Sequence, residues 1–144
     1  MKIRNAYILA LLLTVFACTS DDSRNNNPFL VDLGFQMDLN TNLPQYSNLN
    51  FPGNFVIVPN VGLRGAVVYN FNNSQYVAYE LSDPNHSPNS CSTLEISGIE
   101  ATCPCTNDIN KYNILTGQPI EGDGQYGLKA YRVERNGATI RISN

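Results

Sequence analysis

Apolar side chains recur at every second position in this chain wherever a regular pattern can be read. Between Val31 and Asn40, five apolar residues alternate with five polar residues or glycine, which predicts a half-buried strand. Apolar runs at 55–58, 66–69 and 75–79 predict further strands, the last two joined as a hairpin. No segment after residue 28 keeps a 3.6-residue period. We therefore expect an all-β domain, a small antiparallel sandwich or barrel.

The clearest hairpin signal lies near the end of the chain, at Asn136-Gly137. This dipeptide is typical of a type I′ turn, in which both central residues have positive φ. A two-residue loop at this position pairs Val133 with Ile140 and places both side chains on the same face of the hairpin.

The first 17 residues have the features of a secretory signal peptide. Lys2 and Arg4 precede an apolar run at 6–16, which is too short to span a bilayer. The following Val15-Phe-Ala-Cys18 resembles a bacterial lipobox, which implies cleavage before Cys18 and acylation of its thiol. The alternatives are an ordinary signal peptide or a short anchor with an incidental cysteine.

Residues 18–28 are polar and form the predicted tether between the lipidated Cys18 and a single domain at 29–144. Within the tether, Ser20-Asp-Asp22 resembles the export signal of Bacteroidota lipoproteins that reach the outer face of the outer membrane. The alternative is a solvated tether whose acids carry no signal. We expect a membrane partner through the lipid anchor and an outer-membrane location, on the periplasmic or the cell-surface face.

The charge distribution argues against a nucleic-acid partner. Removing residues 1–17 leaves seven basic against twelve acidic residues, a net charge of −5. The basic residues are scattered singly and form no stripe. The remaining partner class is an unknown protein or another component of the envelope.

Candidate site residues are concentrated between residues 83 and 106. His86, Cys91 and the Cys103-Pro-Cys105 segment offer one imidazole and three thiols, a set that suits tetrahedral zinc. Against zinc, C-x-C is a less usual ligand spacing than C-x-x-C, and an exported protein lives where disulfides persist. Both interpretations stay open from these residues alone.

The order of these residues, continued by Tyr112 and by the Thr116-Gly117 turn, resembles the cluster-binding part of a Rieske [2Fe–2S] domain. The resemblance covers roughly residues 60–143 and implies a Rieske-like antiparallel β fold. In that family two Cys and two His hold the cluster, with the His pair on one iron. This chain contains one His.

The family's ligands carry over only in part. Cys103 matches the Cys of the second cluster loop, and His86 matches the His of the first. The first-loop Cys falls at Asp83 or Pro84, and the second-loop His falls at Thr106. The resemblance therefore implies a domain that has lost its cluster, and we expect no cofactor. A [2Fe–2S] cluster with Asp83 or Cys105 as substitute ligand, or bound zinc, is the alternative.

The resemblance also implies a role for the remaining thiols. In one branch of the family a disulfide ties the two cluster loops together, and its positions correspond here to Cys91 and Cys105. Cys103 is then left unpaired, although a Cys91–Cys103 bridge stays open from the sequence.

The sequence offers little support for an enzyme. No G-x-S-x-G nucleophile elbow is present, and the single His lies in a loop rich in Asp, Pro, Asn and Ser. We therefore expect a binding or structural module of the envelope. An electron-transfer protein with non-standard ligands and a Cys/His zinc-binding module are the competing functions.

Overall fold

A computed structural model describes residues 27–144 and contains two antiparallel sheets. Its elements, in chain order, are β1 (Gln36–Asn40), a 3₁₀ helix (Pro44–Asn50), β2 (Phe55–Val58), β3 (Ala66–Asn70), β4 (Tyr76–Glu80), β5 (Glu95–Ser97), β6 (Glu100–Thr102), β7 (Lys111–Asn113), β8 (Pro119–Glu121), β9 (Ala130–Asn136) and β10 (Thr139–Ser143). The larger sheet has the order β1-β10-β9-β4-β3-β2, and the smaller has the order β5-β6-β7-β8. The predicted all-β antiparallel architecture is confirmed.

Strand β3 explains how one sheet can serve two cores. All five of its residues are buried. Because successive side chains of a strand point to opposite faces, Ala66 and Val68 enter one apolar cluster, and Val67 and Tyr69 enter the other. The first cluster also contains residues of both edge strands, β1 and β2, so the larger sheet curls around it. The second cluster lies between the two sheets.

The cluster between the sheets fixes the smaller sheet in place. Ala101 of β6 and Tyr112 of β7 are fully buried there against Tyr79 of β4. Cys103 belongs to the same cluster. The loops that leave β4 and β6 therefore start from a rigid, buried base and converge at one end of the smaller sheet.

A buried carboxylate organises the turn that precedes β3. Glu80 is 1% exposed and accepts hydrogen bonds from the backbone N–H groups of Leu63 (2.7 Å), Arg64 (2.9 Å) and Ser82 (2.9 Å). The hydroxyl of Tyr131 in β9 donates a fourth, at 2.5 Å. Several donors thus replace the water that this charge loses on burial.

The strand predicted from Val31 is shorter than its alternating pattern suggests. It begins at Gln36, and Val31 and Leu33 are 59% and 42% exposed. The ladder partner of β1 is β10, which ends at Ser143 opposite Gln36. Residues before Gln36 have no strand to pair with there, so alternation alone does not make them β structure.

The predicted register of the C-terminal hairpin is also wrong. Val133 pairs with Ile142, and Asn136 pairs with Thr139, so the two loop residues are Gly137 and Ala138. Of the loop and flanking residues only Gly137 has a positive φ, +59°, which fits a type II′ turn with Gly first. The register differs from the prediction by two positions, so the apolar side chains keep their face.

The predicted signal peptide and most of the tether, including Cys18, lie outside the described residues. Among residues 27–144, no helix is long and apolar enough to cross a membrane.

Candidate functional site

Two loops meet at one end of the smaller sheet and form the candidate site. The first loop, residues 83–92, follows β4, and the second loop, residues 103–110, connects β6 to β7. A disulfide joins Cys91 of the first loop to Cys105 of the second, with their Cα atoms 5.1 Å apart. This is the pairing that the Rieske resemblance implies, and Cys103 is left as a buried free thiol.

Asp83 opens the first loop, and its carboxylate is fully buried. Oδ1 accepts hydrogen bonds from the Tyr112 hydroxyl and from the backbone N–H of Asn85, both at 2.8 Å. The Asn110 amide donates to Oδ2 at 3.3 Å. Asp83 therefore ties the first loop to β7 and to the end of the second loop.

His86 lies at the centre of the site and is 24% exposed. Its Nδ1 lies 3.0 Å from the carbonyl oxygen of Ser87. Nε2 is 3.3 Å from Cys103 Sγ, 3.3 Å from Asp108 Oδ2 and 3.8 Å from Asp83 Oδ2. One ring nitrogen thus faces a thiol and two carboxylates.

The thiol of Cys103 is 4% exposed. Its pKa is raised to about 12, mainly by burial, with smaller increases from the carboxylates of Asp83 and Asp108 and a decrease from the backbone hydrogen bond at Cys105. In the protein without a bound cation, Cys103 is therefore a neutral thiol at physiological pH.

The site opens to solvent through a shallow depression of about 460 Å³. Its lining comes from both loops: His86, Ser87, Asn89, Cys91, Cys105, Thr106, Asn107 and Asp108. Thr106 is exposed at this rim. An ion or a small polar ligand can thus reach His86 and Asp108 without any movement of the loops.

The residues do not fit a [2Fe–2S] cluster of the Rieske type. In such a site the Cys pair holds one iron and the His pair holds the other, so a Cys and a His from the two loops lie across the cluster from each other. Here Cys103 Sγ and His86 Nε2 are in direct contact at 3.3 Å. Asp83 and Thr106 occupy the remaining two ligand positions without a thiolate or an imidazole.

Of the two substitute ligands considered from the sequence, Asp83 and Cys105, only Asp83 keeps a group that can bind a metal. Cys105 is consumed by its disulfide, which also removes Cys91 from the zinc set of one His and three Cys. A disulfide-bonded sulfur is not the thiolate that zinc or iron binds.

Sequence reasoning missed Asp108, which lies five positions after Cys103 in the same loop. Its carboxylate accepts hydrogen bonds from Asn110, at 2.7 Å from the backbone N–H and 3.1 Å from the side-chain amide. A carboxylate so close in sequence to two cysteines could have indicated a further residue of the site. Asn110 itself carries no such signal, because its role depends on the approach of the first loop.

No family model matches this chain, and no curated protein matches it either. Among solved structures, the chain is similar to a chain from the complex of reduced oxygenase and oxidized ferredoxin in carbazole 1,9a-dioxygenase. The two are 20% identical, the match covers 78% of this chain and 94% of that one, and the TM-score is 0.49. It is also similar to the ferredoxin of carbazole 1,9a-dioxygenase from Nocardioides aromaticivorans IC177 (16% identity, 77% and 97% covered, TM-score 0.43). A third is the E. coli protein NirD (15% identity, 78% and 98% covered, TM-score 0.45).

Proposed function

We propose that this chain is an outer-membrane lipoprotein whose Rieske-like domain carries no iron–sulfur cluster and serves as a binding or structural module of the envelope. The observation that carries the proposal is the direct 3.3 Å contact between His86 and Cys103. These are the two family ligand positions that survive, and no space for two irons lies between them. The Cys91–Cys105 disulfide adds that Cys105 offers no thiolate as a substitute ligand.

The absence of a cluster is tested on the full chain, purified anaerobically in detergent. We expect neither visible absorption nor stoichiometric iron and sulfide. Refolding the chain with iron and sulfide under anaerobic conditions is the control for loss during purification. Iron and sulfide at about two each per chain, in either preparation, would restore the electron-transfer function.

Lipid anchoring rests on the lipobox that ends at Cys18. Replacing Cys18 by Ser should release the protein from the membrane fraction or leave an uncleaved precursor, because the serine hydroxyl cannot form the thioether of a lipoprotein. Replacing Ser23 by Ala, outside the Ser20-Asp-Asp22 segment, is the matched control and should leave processing and location unchanged. A Cys18→Ser protein that is processed normally and stays in the outer membrane contradicts this part of the proposal.

The loop pair is the expected contact surface. Ile109, in the second loop, is 64% exposed and follows Asp108, which lines the depression. A photo-crosslinking residue at position 109 should capture a defined envelope component in intact cells. The same residue at Ile57, which is 45% exposed on edge strand β2, is the control. Equal labelling from both positions contradicts recognition through the loops.

A further inference from the structure

Four potential metal ligands converge where the two loops meet. The ligand atoms of Asp83, His86, Cys103 and Asp108 all lie within 4.8 Å of one another. We propose that these four side chains bind one divalent transition-metal ion, with Zn²⁺ as the ion that the donor set fits best. The inference rests on the proposed absence of an iron–sulfur cluster, since both would occupy the same loops.

The spacing around His86 matches the edges of a tetrahedron. Zinc–ligand distances of about 2.0 Å to nitrogen or oxygen and about 2.3 Å to sulfur place the ligand atoms of a tetrahedral site about 3.3–3.8 Å apart. The three distances from His86 Nε2 are 3.3 Å to Cys103 Sγ, 3.3 Å to Asp108 Oδ2 and 3.8 Å to Asp83 Oδ2. The three distances from His86 therefore fit a single ion, and the remaining ligand–ligand distances are all within 4.8 Å.

The second ring nitrogen of His86, Nδ1, makes the kind of hydrogen bond that is typical of a metal-ligating histidine. A backbone carbonyl can only accept a hydrogen bond, so Nδ1 donates its proton to the Ser87 oxygen at 3.0 Å. In the neutral ring this leaves the lone pair on Nε2, the nitrogen that lies 3.3–3.8 Å from the other three ligand atoms. Such an Nδ1–H···O=C bond typically fixes the tautomer and orientation of a metal-bound imidazole.

Both carboxylates are also oriented by neighbouring donors. Tyr112 and the Asn85 N–H engage Oδ1 of Asp83, which turns Oδ2 towards His86. The Asn110 amide lies 3.3 Å from Asp83 Oδ2 and 3.1 Å from Asp108 Oδ2, so one side chain positions the oxygens of both loops. Supporting hydrogen bonds of this kind hold ligands in place before the metal arrives.

The two carboxylates beside His86 give the cluster an excess of negative charge, which favours binding of a cation. Within residues 27–144, His86 is the one basic side chain that pairs with Asp83 or Asp108. The other donors to these two carboxylates are neutral hydroxyl and amide groups, and a single N–H at Nε2 could donate to only one of them. A divalent ion offsets both carboxylates, and the sulfur and nitrogen donors favour zinc over calcium or magnesium, which prefer oxygen ligands.

The test uses the full chain, stripped of metal with a chelator and kept without reductant. Calorimetric titration with Zn²⁺ should give one ion per chain, and Co²⁺ should give the visible bands of tetrahedral cobalt with a thiolate-to-cobalt charge-transfer band. Cys103→Ser should abolish that charge-transfer band. Peptide mapping of the zinc-loaded protein should still find the Cys91–Cys105 disulfide.

Asp108→Asn is the sharpest variant, because the remaining carbonyl oxygen can still accept the hydrogen bond from Asn110 and preserve the loop. It should weaken zinc binding by about tenfold or more. Asp123→Asn removes an exposed carboxylate outside the cluster and should leave the affinity unchanged. Circular dichroism of both variants checks that the fold is retained.

Three results would overturn the inference. No stoichiometric zinc binding, or equal affinities of the Asp108→Asn and Asp123→Asn proteins, contradicts the site. Binding that appears only after the disulfide is reduced assigns the metal to Cys91 and Cys105 instead. If iron and sulfide are found, the proposed function fails as well; if neither they nor zinc are found, only this inference fails.

Discussion

The Tyr112 hydroxyl donates a 2.8 Å hydrogen bond to the fully buried carboxylate of Asp83. Asp83 is one of the two positions, with Pro84, at which the Rieske resemblance places a cysteine ligand, and Tyr112 reaches it from β7 of the smaller sheet. The same hydroxyl accepts a hydrogen bond from the Asn85 amide, also at 2.8 Å. A polar network thus occupies the ligand position and ties the first loop to the sheet.

Replacing Tyr112 by Phe should lower the free energy of unfolding by about 1–3 kcal/mol, because it leaves a buried carboxylate short of one donor. Urea denaturation measures the change. Tyr126→Phe is the control, since the Tyr126 hydroxyl makes no hydrogen bond to any residue of 27–144, although its ring packs edge-on against Phe29. Equal stabilities of the two variants would show that the Tyr112–Asp83 bond contributes nothing.

Removing the Cys91–Cys105 disulfide should lower the free energy of unfolding by about 3 kcal/mol. This is the value that loop-closure entropy gives for two cysteines 14 positions apart. A Cys91→Ala/Cys105→Ala double variant should melt at a lower temperature than the parent. Adding reductant should lower the melting temperature of the parent and leave that of the double variant unchanged. A parent protein insensitive to reductant contradicts the bond.

Gly137→Ala should cost about 1–2 kcal/mol, because φ is +59° at this position and a Cβ there is strained although nothing lies within 4 Å of it. Gly34 is the matched control, since it is equally uncrowded and its φ lies outside the left-handed region. Gly34→Ala should be neutral or slightly stabilising. Equal effects of both substitutions, measured by thermal melting, would contradict the type II′ turn.

The sequence was sufficient for the fold class because strand alternation is a local property. The apolar runs that become β2, β3 and β4 lie within one residue of their predicted bounds. The start of β1 could not be predicted, since Val31 and Leu33 continue the pattern but lack a partner strand. Pairing partners are distant in sequence, and alternation carries no information about them.

The sequence predicted individual residues of the site but not the contacts between them. His86 and Cys103 were identified from their order along the chain, but their direct contact depends on how two loops 17 positions apart are folded against each other. Asp108 and Asn110 enter the site for the same reason. A disulfide, a buried carboxylate and a tyrosine set that arrangement, and none of these interactions is local in sequence.

Alkaline pH should destabilise the domain in part through Tyr131. Burial raises the pKa of its phenol above the usual range, and its hydrogen bond to the Glu80 carboxylate adds to the shift. In the unfolded chain a tyrosine ionises near pH 10. Above that pH the unfolded state has lost a proton that the folded state keeps, so the free energy of unfolding falls as pH rises.

The fall due to Tyr131 alone is at most about 1.4 kcal/mol per pH unit, the value for one proton. Tyr131→Phe removes this contribution, so its stability should decline less steeply above about pH 10 than that of the parent. The variant also loses the bond to Glu80, but that loss is the same at every pH and does not alter the slope. Urea denaturation at a series of pH values, with tyrosinate absorbance recorded in parallel, measures both quantities. Coincident slopes, with all tyrosines titrating before unfolding, would mean that Tyr131 ionises freely in the folded protein.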